Sequence, residues 1–232
     1  MMVPLLQVAL MLEVVVVDTV DRLYSFLDGL RARPWTPGAD PAADAALLPD
    51  LAGLSRRADV RDAVLVKVVS PSMSQAAFRT VACRSETGPD RDRRTADAYA
   101  LVDEVIAKAW ENPGYDARRV MQTAYHQDVP KLLDRLAARI PTLAEQSGLR
   151  AVTAYASWLQ GDDLPVFKGY LDSLRAADPS DEWAAQLGRA FESHEYPAWL
   201  RADLDERERL GAVTASTADV LDGRPDQAAA AR

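Results

Sequence analysis

Two histidines, a single cysteine and several clustered carboxylates are the side chains of this sequence best suited to catalysis or metal binding. His126 is followed by Gln127 and Asp128, a spacing in which a carboxylate could orient an imidazole as a general base. His194 stands between Glu192 and Glu195, where nitrogen and oxygen ligands could hold a metal. Helical metal sites, however, space their ligands one turn apart, as in H-E-x-x-H, and neither group does so. Pro130 and Pro197 follow the two histidines and mark helix ends, where an imidazole meets the C-terminal dipole favourably. Structural or solvated roles are therefore expected of both, and no catalytic residue, metal ligand or cofactor is assigned.

Cys83 has no second cysteine to pair with, so no intramolecular disulfide can form, which fits a reducing cytoplasm. Within SMSQAAFRTVAC it reads as a small buried hydrophobe. A Cys83–His126 nucleophilic pair finds no support in the spacing. There is no G-x-S-x-G elbow, Walker-type loop or G-x-G-x-x-G, so neither a nucleophile elbow nor a phosphate cradle is predicted. Asp162-Asp163 could suggest a cation, but a turn followed by a helix N-cap accounts for both. The charge run from Asp203 to Arg209 reads as a solvated helix end.

Trp110, Trp158 and Trp183 fall on apolar stripes and are expected in the core. Trp35, in a Pro-broken linker, and Trp199, after Pro197, are the two candidate interaction residues, although Trp199 could instead cap a helical stack.

The elements that would position these groups are helical. The chain has 232 residues, 48% hydrophobic, with only 11 glycines, a mix that favours helices over a turn-rich β fold. Four of its 27 basic residues are Lys, and with so much Ala, Asp and Arg the composition is of an actinobacterial type. A net charge of −8 argues against a phosphate-tracking surface, so nucleic acid is not expected as a partner.

Residues 1–32 are read as an apolar N-terminal helical segment. Within it, residues 3–17 could be a short strand, a buried helix or a seam between copies. They are too short and too polar at Gln7 and Glu13 to span a bilayer. No Lys or Arg precedes Arg22, so a signal peptide is not expected, and a soluble cytoplasmic protein is. Residues 33–41 form a linker, and Asp40-Pro41 begins a helical domain over 42–210. Within that domain, 84–95 is expected as an exposed loop. Tyr99, Val102, Ile106 and Trp110 recur at steps of three, four and four and define a helix. Thr142 and Glu145 fit a capping box. Residues 211–232 lose periodicity and read as a disordered tail.

In residues 142–200, Trp158, the turn residues Gly161 and Asp162, and Pro179 resemble one tetratricopeptide repeat, and Trp183 with Leu187-Gly188 resembles the opening of a second. A solenoid needs about three or more such units, so the match covers only part of one. Asp59 to Leu65, Leu132 to Pro141 and Ala156 to Pro179 resemble the helical half of the actinobacterial domain-of-unknown-function family 4192. The resemblance spans residues 45–195 and lacks most of that family's α/β N-terminal half. It implies a helical fold and brings no activity.

The expected fold is an all-α antiparallel stack. The expected function is a non-enzymatic scaffold or adaptor, binding a protein or peptide partner or self-associating through its N-terminal apolar segment. Two alternatives are an enzyme or small-ligand protein using His126 or His194 with nearby carboxylates in an interhelical pocket, and a phage- or plasmid-type factor that sequesters a host protein through its acidic surface.

Overall fold

The computed structural model describes residues 19–208; residues 3–17 and the tail 211–232, for which a strand or helix and disorder were expected, lie outside them. The described residues form eleven α-helices, one 3-10 turn and no strand. In chain order these are α1 (19–32), α2 (Pro41–Ala52), the 3-10 turn Gly53–Ser55, α3 (Ala58–Val69), α4 (Gln75–Ala82), α5 (Arg91–Glu111) and α6 (Ala117–Tyr125). They continue with α7 (Val129–Ala137), α8 (Leu143–Gln160), α9 (Leu164–Ala177), α10 (Glu182–Glu192) and α11 (198–208).

Capping chemistry sets many of the boundaries. Asp40 accepts the amides of Ala42 and Ala43 ahead of Pro41. Thr142 accepts the Glu145 amide, one half of the expected capping box, and the Glu145 carboxylate accepts from the Thr142 hydroxyl (2.9 Å). Asp116, Asp128 and Asp181 cap α6, α7 and α10 in the same way. Gly161 ends α8 with φ +65°, the left-handed conformation that glycine adopts without strain. The three residues Gly161–Asp163 then turn the chain into α9, antiparallel to α8. After α9, Ser180 donates twice to Asp178 at the Asp178-Pro179 break, which leads into α10.

Two helices lie inside. Fourteen of the eighteen α8 residues and nine of the twelve α3 residues are buried. These two pack on each other, and α8 also meets α2, α6, α7, α9, α10 and the 3-10 turn. Single apolar stripes, Leu149-Val152-Ala156-Leu159 and Val60-Val64-Val68, read as though each helix covered one face only. Small residues (Gly148, Ala151, Ala154, Ser157) let neighbours approach the other faces of α8. In a solenoid each repeat touches only adjacent repeats. Here α2, α3, α6, α7, α9 and α10 all pack on one inner helix, α8.

One expectation is corrected in part. Residues 84–90 run as turns that are exposed apart from the buried Arg84 and half-buried Glu86, whereas 91–95, expected in the same exposed loop, are helical. Arg91 to Arg94 form the first turn of α5, and Arg84 is buried against Asp62. Ser85 donates to Asp59 (2.6 Å), and Thr95 donates to the Arg84 carbonyl (3.0 Å). Of the charges that suggested a solvated loop, Arg84 finds Asp62 of α3 and Arg94 donates to the Glu86 carbonyl (3.1 Å).

The linker is likewise tied down. Asp44, fully buried, accepts from the Gly38 amide (2.6 Å) and the Trp35 indole (3.2 Å), and pairs with Arg139. Burial alone would raise the pKa of this carboxyl, but the Gly38 amide, Arg139 and Trp35 together hold it below the usual carboxylate value. No helix among the described residues is long and apolar enough to cross a membrane.

Candidate functional site

Helix α5 is where burial stops short of the sequence pattern. Of its 21 residues only Ala98 and Ala109 are buried. It packs on α3 and α4, and its apolar stripe Tyr99, Val102, Ile106 and Trp110 lines a trough whose opposite wall is α10. The trough consists of two adjoining pockets of about 300 and 340 Å3 that share Asp103, Ile106, Tyr155 and Gln186. Leu65 of α3 and Tyr155 of α8 contribute buried surface, while Trp183 and Gln186 project from α10. Trp183 and Tyr155 meet edge to face with ring centroids 5.1 Å apart, and Trp110 lies 6.4 Å from the core Trp158.

The charged residues that line the trough are all acidic: Asp62, Asp103 and Glu111. Asp62, at one end, pairs with Arg84 and lies 3.8 Å from Arg61 Nε. Burial pushes its pKa above the ordinary carboxylate value despite both arginines. Arg61 stacks on the Trp183 ring (4.1 Å) and donates to Asp181 (3.1 Å), fastening α3 to the start of α10. Arg84 lies 5.0 Å from the Tyr99 ring centre. Among the described residues, Asp62 Oδ1, Arg61 Nε and Arg84 Nη1 are buried without hydrogen-bond partners. Such incomplete satisfaction costs stability, as it does for Arg94 Nε, Gln127 Nε2, Trp158 Nε1 and Gln160 Oε1, on residues that do not line the trough.

The residues singled out in the sequence fall elsewhere or in other roles. Trp199 is only 6% exposed and donates to the Leu159 carbonyl (3.1 Å). Together with Arg118, which donates to the carbonyls of Gln160 and Gly161, it closes the C-terminus of α8, so it caps the stack and is no surface contact. A Cβ on Gly161 would stand 3.0 Å from its ring. Asp162 accepts from Ser157 (2.6 Å) and Gln160 (3.0 Å), yet burial raises its pKa. Asp163 sits at the N-cap of α9 without a side-chain capping bond. Trp35 is half-buried and lines a second groove of about 370 Å3 between α1 and α2, packed edge to face on Phe26. Trp110 and Trp183, expected in the core, wall the trough; Trp158 is the buried one of the three.

His126 and His194 both have left-handed backbones, with φ of 53° and 56°. His126 is the C-cap of α6, and His194 follows the C-cap of α10, where the Glu195 amide closes on the Ala190 carbonyl (2.9 Å). They hold positions that glycine usually takes. No hydrogen bond joins Cys83, His126 or His194 to one another among the described residues. Burial, with Glu86 alongside, pushes the Cys83 thiol up to about 12, so at neutral pH it is no thiolate nucleophile. No group of three or more His, Cys, Asp or Glu side chains among the described residues is gathered as a metal site requires.

The trough residues missed in the sequence are Asp62, Tyr155 and Gln186. Each lies on an element remote in sequence from α5, and no local spacing announces their convergence. In comparisons with protein-family models, with curated proteins and with solved structures, the chain matches none.

Proposed function

We propose that this chain is a non-enzymatic helical adaptor that holds an apolar-faced segment of a protein partner in the trough between α5 and α10. One observation carries the reading: the recurring apolar stripe of an amphipathic helix lines an open cleft with aromatic walls instead of being closed by another helix. A stripe left uncovered in this way is the surface that helix-in-groove recognition uses. Helix α10, which opens the second tetratricopeptide-like unit, supplies the second wall through Trp183 and Gln186. At about 300 and 340 Å3 the two pockets suit a few bulky side chains of a bound segment.

The test is selection of peptides from a displayed library on the full chain, followed by binding to Ala107→Phe, which fills the trough, and to Ala46→Trp, which fills the α1–α2 groove. Selected peptides are expected to lose about tenfold or more in affinity on Ala107→Phe and little on Ala46→Trp. Equal binding to wild type and Ala107→Phe, or no enrichment at all, overturns the reading.

The α1–α2 groove, lined by Phe26, Trp35 and Leu47, favours a second reading, self-association through apolar surface near the chain's start. Light scattering on the same proteins decides it: a dimer that Ala46→Trp makes monomeric supports this reading, and a wild-type monomer removes it.

A further inference from the structure

Resting on the adaptor reading, we infer that the partner segment is a basic amphipathic helix, with Lys or Arg two turns apart flanking bulky apolar residues. The ionisable side chains facing the trough from all its walls are Asp62, Asp103, Glu111, Tyr99 and Tyr155. Asp62 is engaged by Arg84, whereas Asp103 and Glu111 have no ion-pair partner among the described residues.

Their isolation is not for want of cations nearby. Asp97, earlier on α5, is paired with Arg93 (3.8 Å). Lys108 is three residues from Glu111 and four from Glu104, the spacing of helical ion pairs. It lies instead over the Tyr115 ring (5.0 Å), away from both. Thus α5 presents an apolar stripe with an uncompensated carboxylate near its middle and another at its end. A chain of net charge −8 adds a field that draws cations toward this face.

Spacing fixes the ligand's pattern. Asp103 and Glu111 are eight residues apart, or about 12 Å along the helix axis. A second helix lying in the trough matches both with basic residues at i and i+7 or i+8. Its apolar residues at i+3 and i+4 then fall over Ile106, between Trp110 and Trp183.

The experiment uses the full chain and synthetic helix-forming peptides of about four turns. One has Leu at i+3 and i+4 with Arg at i and i+7; its control has Gln in place of both Arg. Binding is read by tryptophan fluorescence and calorimetry. The Arg peptide is expected to bind about tenfold tighter than the Gln peptide, from two exposed ion pairs acting together. That advantage should shrink between about 50 and 300 mM salt. It should vanish in the Asp103→Asn, Glu111→Gln double variant, whose changes are at exposed positions and whose fold is checked by circular dichroism. If the Gln peptide binds as tightly as the Arg peptide, the basic partner is overturned while the adaptor stands. If neither binds, both readings fall.

Discussion

Helices α5 and α8 are the two longest described elements, at 21 and 18 residues, and they are built on different plans. Along α8 the large residues Leu149, Trp158 and Leu159 alternate with Gly148, Ala151, Ala154 and Ser157, and neighbours close in on every side. Along α5 Tyr99, Val102, Ile106 and Trp110 form the stripe at the trough, Leu101 and Val105 pack beside it against the core, and charged residues fill most of the outer face. The contrast teaches that an apolar stripe reports which face avoids water but not what covers it. For α8 the cover is the rest of the fold. For α5 it is incomplete, and Trp183 and Tyr155 wait across the gap.

The sharpest way to break the comparison is Gly148→Ala. A Cβ at this position would stand 2.5 Å from Ser55 N and 2.6 Å from the Leu54 carbonyl oxygen, both backbone atoms of the 3-10 turn. Backbone cannot step aside as a flexible side chain can, so α8 and the turn must part. A loss of about 3 kcal/mol or more is expected, at the upper end of overpacking effects, measured as a lowered urea midpoint. On α5, Ala107→Ser at the trough should change stability by less than about 0.5 kcal/mol. Equal losses at the two sites would erase the distinction between a sealed helix and an open one.

Much of the fold was legible because helix ends carry local chemistry. Asp40-Pro41, Thr142 with Glu145, Gly161 and Asp178-Pro179 each mark a boundary through bonds made within a few residues. The start of α5 was not legible, since Arg91 to Arg94 read as a continuation of the charged turn before them, and Arg84 looks solvated until α3 brings Asp62 beneath it. Burial of α8 on all sides was equally hidden: its small residues are permissive, and only the approach of other helices shows what they permit. The candidate site was half visible. Its α5 stripe could be counted off the sequence, but the partners of that stripe come from positions 62, 155, 183 and 186, and long-range convergence leaves no spacing to read.

A second contrast, between two carboxylates, gives a prediction of intermediate size. Asp44 lies on the sealed side, where hydrogen bonds overcome burial and lower its pKa; Asp62 lies under the trough, where burial prevails and raises it. The signs of their linkage to folding are therefore opposite. Asp44 stabilises above the unfolded carboxylate pKa, and that contribution disappears as pH falls through its lower folded value. Asp62 contributes stability that is present below the unfolded pKa and lost as pH rises through its higher folded value. Asp44→Asn keeps one acceptor oxygen for either the Trp35 indole or the Gly38 amide, which donate to different oxygens of the carboxylate, and leaves Arg139 without its charge partner. It should cost about 1–3 kcal/mol at pH 7, with the deficit narrowing as the pH drops below about 4. Thermal melts across that range test it, and a deficit independent of pH would mean that the ion pair contributes nothing.

The smallest expected effect bears on the histidines, the groups most open to a chemical reading. His126 and His194 occupy left-handed positions at helix C-termini, where a Cβ crowds the following carbonyl and glycine does not. If their role is to end α6 and α10, His126→Gly should leave the fold intact and stabilise it by about 0.5–1 kcal/mol, because relief of the left-handed penalty outweighs the extra chain entropy. His194→Gly should do the same. Peptide affinity at the trough should be untouched in both. A glycine variant that kept its melting temperature yet lost binding would move the functional centre from α5 to the helix ends, and the contrast between the closed and open helices would no longer locate the site.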